Sequence, residues 1–376
     1  MALYTWGLGS NGQLGTGNLE TKHTPQNIKP PGKVKQVDCG ALFTVVLTED
    51  GAVYSTGCGK FGRLGHGSSE KDSNILGPVV LSVKCSQVSC GSWHVGVVTT
   101  EGALFLWGYQ KAFVKVLKPE NMGLPNLFAL PHKAKVAGVS CGHNYTYAWT
   151  VEGQLYSWGR GQNGVLGLGS DDDQRLPQHV ETLKEEKVAT VGAGNSHCGI
   201  VTESGLLYMT GKGSDGALGF GHSHLGNALL PKRCETGTEV KAVSCSKGEH
   251  HGHTLALTVS GSVLAWGDGY KGKLGLGGQE SRYTPAVIPP ELFNNQPVTS
   301  ISAGGIHSAA ATASGEVFTW GCGSDGRLGH PEGQGHRYLF RSDIPKKVEG
   351  LPKAGAGKVT VSCAYYHCAA VVHNSD

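Results

Sequence analysis

The sequence predicts an all-β fold, a seven-bladed β-propeller closed by pairing of the N- and C-terminal segments. Three observations carry the prediction. A Trp-Gly or Thr-Gly step recurs with its glycine at Gly7, Gly57, Gly108, Gly159, Gly211, Gly267 and Gly321, at intervals of 50 to 56 residues, the length of one four-stranded blade. The arc from Gly321 through the C-terminus and round to Gly7 is 62 residues, so the repeat consumes the chain and one domain over residues 1–376 is expected. Glycine fills 59 of 376 positions, more than twice its usual ~7% share, which calls for many tight turns.

Each unit has the same order of elements. A short β-rich run comes first, as in residues 136–142, Val-Ala-Gly-Val-Ser-Cys-Gly. A second apolar run ends in a Thr-x-x-Gly turn, seen at 48–51, 150–153, 202–205, 258–261 and 312–315. A third strand follows directly and alternates apolar with polar residues, as in 154–159, Gln-Leu-Tyr-Ser-Trp-Gly. A glycine-rich loop and a Pro-containing segment such as 284–288, Thr-Pro-Ala-Val-Ile, then supply a fourth strand. The chain stops at 371–376, just where the Thr-x-x-Gly turn is due, and starts at Ala2 with the strand that belongs after it. One blade is therefore shared between the two ends, which covers edges otherwise open to aggregation.

Composition excludes several classes. Lys and Arg number 32 against 29 Asp and Glu, a net charge of +3, too little over this length for a nucleic-acid-binding field. There is no apolar stretch of about 18 residues to cross a membrane, and the first residues lack the basic and apolar regions of a signal peptide. Eleven cysteines are present. Five of them, Cys39, Cys90, Cys141, Cys245 and Cys363, share one repeat position that Ala193 and Ala303 occupy in the other copies. Such a site wants a small buried side chain. No Cys-x-x-Cys occurs, so no metal is expected; reduced thiols and a cytoplasmic protein with access to the nucleus are.

The repeated Val-Ser-Cys-Gly-x-x-His and Trp-Gly-x-Gly-x-x-Gly-x-Leu-Gly patterns, as at 88–94 and 6–15, resemble the repeats of the RCC1 family (regulator of chromosome condensation) over essentially the whole chain. The resemblance implies a seven-bladed propeller that works by binding proteins. The family includes exchange factors for small GTPases, ubiquitin-ligase domains, ciliary proteins and a plant light receptor. Its chromatin-binding branch carries a basic tail ahead of the propeller, whereas here blade sequence begins at Ala2.

The individual motifs have plainer readings. The stretch from Gly7 to Gly12 fits the G-x-G-x-x-G dinucleotide fingerprint, and so do copies from Gly57, Gly159, Gly211, Gly267 and Gly321. A dinucleotide loop must open a helix, yet each copy runs into Leu-Gly and then into more Gly or Pro. A recurrent loop with positive φ is expected, and no cofactor. Trp6, Trp107, Trp158, Trp266 and Trp320 share one position, as rings packed between blades would. Only Trp93 and Trp149 lie outside it, which leaves no tryptophan cluster for a light receptor.

Candidate partner-binding residues come from one ring of positions eight before each turn glycine: Phe43, His94, Tyr145, His197, His253, His307 and His367. Two readings stay open: imidazoles that satisfy backbone groups inside the fold, or a histidine face for a partner. The residues just before them are Leu42, Trp93, Asn144, Ser196, Gly252, Ile306 and Tyr366. None is acidic, unlike the face that the family's exchange factors present to their GTPase. Between Cys245 and His253 the loop is longer than in other copies and inserts Glu249, His250 and His251; insertions on propellers map to binding faces. His222 and His224 form a weaker cluster. In the third copy the glycine loop gives way to residues 109–118, rich in Lys and aromatics, which suits an acidic protein surface or forms a plain bulge.

No nucleophile–base order, carboxylate pair or phosphate loop emerges, so no bond-making activity is expected. The expected binding set is Trp93, His94, Asn144, Tyr145, Ser196, His197, Glu249, His250, His251, His253, His307, Tyr366 and His367. The expected partner is a protein, either a small GTPase whose nucleotide exchange the monomeric propeller promotes, or a client recognised by an adaptor propeller like those of HERC-type ubiquitin ligases. No membrane or nucleic acid is expected.

Overall fold

The computed structural model describes residues 1–109, 122–335, 339–353 and 359–373. These form seven four-stranded antiparallel sheets arranged in a ring. Six sheets take their strands in sequence order. In the seventh, Val359–Cys363 and His367–Val372 are completed by the N-terminal strands Ala2–Gly7 and Lys22–Ile28. Ala2–Gly7 pairs with His367–Val372 over its whole length, from Ala2 opposite Val372 to Gly7 opposite His367. The expected closure is thus present, with Leu3 and Trp6 fully buried in the seam.

Burial along a blade explains its sequence grammar. First strands line the axis around a cavity of about 330 Å³. Second strands, such as His94–Thr99 and His307–Thr312, are buried at every position, because both faces are covered by neighbouring blades. They therefore read as apolar runs rather than alternating ones. Fourth strands such as Gln174–His179 form the half-exposed rim, where Pro177 is tolerated because an edge needs no ladder donor.

The turn and loop signatures each have a mechanism. In the Thr-x-x-Gly turn, the Thr150 hydroxyl accepts from the Gln154 amide at 3.1 Å, and Gly153 adopts φ +85°, a conformation that favours glycine. Glycines closing the third strands need positive φ and a bare Cα: a Cβ on Gly267, at φ +107°, would sit 2.6 Å from the Gly252 carbonyl oxygen. The G-x-G-x-x-G loops make single 3₁₀ turns, as at Gln162–Gly164 and Tyr270–Gly272. They pack on the fourth strand of the next blade: Gly169 N–H donates to the Leu229 carbonyl and Gly277 N–H to that of Asp343.

Side chains clip blade to blade. The Trp6 indole N–H donates to the Arg327 carbonyl (3.1 Å), Trp107 to Arg63 (3.1 Å), Trp266 to Ala217 (2.8 Å) and Trp320 to Lys273 (2.9 Å). Each acceptor lies in the preceding blade's glycine loop, as inter-blade packing requires. Around the axis the serine of Val-Ser-Cys does equivalent work. Cys141 N–H donates to Ser89 Oγ, Ala193 to Ser140, Ala303 to Ser244, Cys363 to Ser302 and Cys39 to Ser362, all within 3.0 Å. Cys90 N–H uses Asp38 Oδ2 instead, at 2.7 Å. These side chains satisfy first-strand amides that no ladder reaches.

The cysteine expectation needs one correction. Nine cysteines, Cys90 and Cys141 among them, are buried and free. Cys363 and Cys368, expected as thiols, are joined by a disulfide. They face one another across adjacent strands, and in no other blade does a second cysteine oppose a cysteine at the repeat position: Cys39 faces Thr44, Cys90 faces Val95, Cys141 faces Thr146 and Cys245 faces Thr254. The irregular segment at 109–118 lies, apart from Tyr109, outside the described residues.

Candidate functional site

First-to-second-strand loops and glycine loops open on the same face of the ring, since third strands run back toward the histidine end: Gly7 pairs with His367 and Gly267 with His253. The histidines themselves are interior. His94, His253, His307 and His367 are 0% exposed and His197 is 2% exposed. Each points into the junction with the next blade. His94 Nε2 lies 2.9 Å from Thr146 Oγ1, His197 2.9 Å from Thr254, His253 2.8 Å from Ser308 Oγ, and His367 2.8 Å from Thr44. The Thr44, Thr254 and Ser308 hydroxyls each donate onward to a carbonyl, of Gln13, Ala217 and Lys273 respectively. The ring Nε2–H must then be the donor to the hydroxyl, which fixes the Nε2–H tautomer for the neutral imidazole. Burial pushes His94 and His367 down to about 3 and His197 to about 4, and holds His253 and His307 well below the usual histidine range.

Where the ring lacks histidine the neighbour loses its hydroxyl: Phe43 shares a core cluster with Val95, and Tyr145 with Cys198. His94, Tyr145, His197, His253, His307 and His367 are therefore revised from partner contacts to inter-blade links, because their side chains are sealed from solvent. Exchanging one junction type for the other tests the assignment. His253→Phe or Ser308→Val alone is expected to lower stability by about 1–3 kcal/mol through an unpaired buried group. The double variant, which copies the Phe43–Val95 junction, should recover most of that loss in denaturant unfolding.

The remaining residues separate into three places. Asn144, Ser196 and Glu249 come together, with the buried Tyr145 beneath, in a pocket of about 260 Å³ that His143, Arg160 and Asn195 also line. Asn144 Oδ1 is buried there without a protein partner. Trp93 adjoins the pocket: its ring lies 5.2 Å from His143, 5.2 Å from Tyr109 and 5.7 Å from Phe61. His250 and His251 project away from it, His251 resting 3.5 Å from Asp268 and stacked on Tyr270. Tyr366 covers Arg327 elsewhere on the face.

The long loop is anchored so that Glu249 reaches this pocket. Lys247 crosses the mouth of the channel to Asp38 (3.4 Å) and the Cys39 carbonyl (2.6 Å). Tyr365 closes the same mouth, its hydroxyl meeting Ser92 at 2.9 Å and Asn195 at 3.0 Å. His143, Asn195 and Tyr365 were missed from sequence because they stand two places before the ring position, and only the nearer place was counted. Arg160 follows a third-strand glycine and carries no repeat signal. The face thus offers an aromatic patch beside a polar pocket with both charge signs, the features of a protein-recognition surface.

Comparison with known proteins agrees with this architecture. The family model described as the RCC1-like domain matches residues 118–376, and the model described as the regulator of chromosome condensation repeat matches residues 2–47 and 50–98. The ultraviolet-B receptor UVR8 of Arabidopsis thaliana is 33% identical over 94% of this chain and 78% of its own length. The human E3 ubiquitin-protein ligase HERC2 is 36% identical over 77% of this chain, which is 6% of that protein. The human regulator of chromosome condensation is 29% identical over 86% of this chain and 81% of its own. Among solved structures, human WBSCR16 superposes with a TM-score of 0.86 at 23% identity, covering all of both chains. Prp20p of Saccharomyces cerevisiae, described together with its binding properties to Gsp1p and histones, reaches 0.80 at 19% identity over 100% of this chain and 92% of that one.

Proposed function

The chain belongs to the RCC1 family, and from that membership we propose that it is a regulator that acts by binding a protein on its loop face, with a small GTPase as the partner. The observation that carries the reading is the convergence of Trp93, Asn144, Ser196 and Glu249 around one pocket, although they come from four different blades. Aromatic and charged side chains at a pocket's rim are the usual anchors of protein interfaces. The human regulator of chromosome condensation supports a regulator, and Prp20p, described with its binding properties to Gsp1p and histones, supports one that works through a bound protein.

An adaptor role is the second reading. It is favoured by the absence of an acidic residue at any of the seven positions before the inner ring, and by the match to HERC2. A nucleotide-release assay over a panel of small GTPases, run beside capture from cell extract, separates the two. Accelerated release supports the exchange reading, and capture without acceleration supports the adaptor. In either case Trp93→Ala and Glu249→Ala are expected to weaken partner binding by about tenfold or more. A partner that both variants bind normally places the interface elsewhere.

A further inference from the structure

One junction of the inner ring breaks the rule that the others keep. Where a histidine points at the next blade it meets a hydroxyl, from Thr44, Thr146, Thr254 or Ser308. His307 instead meets sulfur: its Nε2 lies 3.2 Å from Cys368 Sγ. Cys368 is also the residue opposed by Cys363, so two sulfurs and an imidazole converge. Their donor atoms all lie within 4.8 Å of one another, and this is the only such three-residue grouping of His, Cys, Asp or Glu among the described residues. His307, Cys363 and Cys368 are each 0% exposed. His307 Nδ1 is buried without a hydrogen-bond partner.

We propose that, once the disulfide is reduced, His307, Cys363 and Cys368 form a buried site for a soft, thiophilic metal ion of the Cu(I) class. A dithiol reductant supplies two electrons and two protons, which break the S–S bond and leave two thiols while the reductant becomes a disulfide. On metal binding both thiols release their protons to solvent, and two thiolates and the imidazole nitrogen take the ion. The donor set selects the class. Two sulfurs and one nitrogen are soft ligands that suit Cu(I). Zinc on the same three ligands needs a fourth, either a protein ligand or an open water position, and these three residues are sealed from solvent; calcium and magnesium want oxygens. Two thiolates buried without a cation would be costly, and a bound cation offsets that cost. The short loop at 364–366, where Tyr366 is 38% exposed, joins the two cysteine strands on the open face.

The full chain offers unusually safe variants, because other blades already carry them. Alanine stands at the Cys363 position in two blades and serine at the Cys368 position in one, at Ala193, Ala303 and Ser308. The protein is reduced with dithiothreitol, freed of it without oxygen, and titrated with Cu(I) held by the coloured chelator bicinchoninate. The reduced wild type is expected to withdraw about one equivalent of Cu(I), and the oxidised protein none. Cys363→Ala and Cys368→Ser should each abolish the uptake while unfolding as cooperatively as the wild type. Cys245→Ala, which removes a buried cysteine facing Thr254, should bind like the wild type. Uptake by the reduced wild type no greater than by the Cys363→Ala, Cys368→Ser double variant overturns the proposal, and so does equal loss in Cys245→Ala.

Discussion

Removing residues 1–7 is expected to abolish the cooperative fold rather than merely trim an end. Ala2–Gly7 is an interior strand of its sheet, flanked by Lys22–Ile28 on one side and His367–Val372 on the other. Its loss strips ladder partners from both neighbours and leaves buried amides unpaired. It also removes Leu3 and Trp6, which are 1% and 0% exposed, and emptying such core positions costs about 2–5 kcal/mol each. The Trp6 indole is in addition the clip to Arg327 in the adjacent blade. Together these losses approach the roughly 5–15 kcal/mol that holds a typical native state. The truncated protein should show no cooperative denaturant transition, or a much lower midpoint with exposed strand edges and aggregation. An unchanged midpoint would mean that the seam does not close the ring. Adding residues 1–7 back as a peptide should restore part of the transition, which distinguishes a missing strand from general damage.

What was legible in the sequence was whatever repeats within one blade. The Thr-x-x-Gly turn, the glycine after the third strand and the tryptophan each answer a local need that recurs in most blades, so periodicity displayed them. The closure was legible because the two ends carry complementary parts of one repeat. The hidden features depend on pairs that lie one blade apart. The serine of Val-Ser-Cys looks like an ordinary strand residue until Ser89 is seen to receive the Cys141 amide. The histidine ring was found, but whether it faced solvent or a neighbour turned on Thr146, Thr254 and Ser308, which were not compared with it. That comparison was available: Val95 and Cys198 follow the ring position in the blades next to Phe43 and Tyr145, whereas Thr44, Thr146, Thr254 and Ser308 stand opposite four of the five histidines and Cys368 opposite His307. The pocket was legible in part. Asn144, Ser196 and Glu249 were singled out, yet their meeting depends on Lys247 holding the long loop across the channel, a tertiary contact that no spacing encodes.

Acidification should destabilise this protein steeply while its carboxylates are still ionised. His94, His197, His253, His307 and His367 are neutral in the folded state because burial opposes their charging, with smaller contributions from His143, Lys212, Lys273, Arg327 and Lys247 nearby and a counteracting one from Asp215. In the unfolded chain each returns to an ordinary value of about 6.5. The folded values are therefore depressed, so the stability they support is complete above about pH 7. It is lost as pH falls from 6.5 toward the folded values of about 3 to 4 for His94, His197 and His367, because only the unfolded state takes up protons in that window. By pH 5.5 the loss is about 1 kcal/mol for each histidine and roughly 5–7 kcal/mol for the five together, a large share of a typical folding free energy. The lowered carboxyl groups of Asp268 and Glu316 act only at lower pH, since their shifts are also downward. Denaturant midpoints should be level between pH 8 and pH 7 and fall sharply from there to pH 5.5, and a flat profile down to pH 5.5 would refute the buried neutral ring. The His253→Phe, Ser308→Val variant supplies the internal control: with one imidazole replaced by an apolar junction, the slope should shrink by somewhat less than a fifth, because the lowered His330, His66 and His143 lose stability in the same window, while its stability at pH 8 stays near that of the wild type.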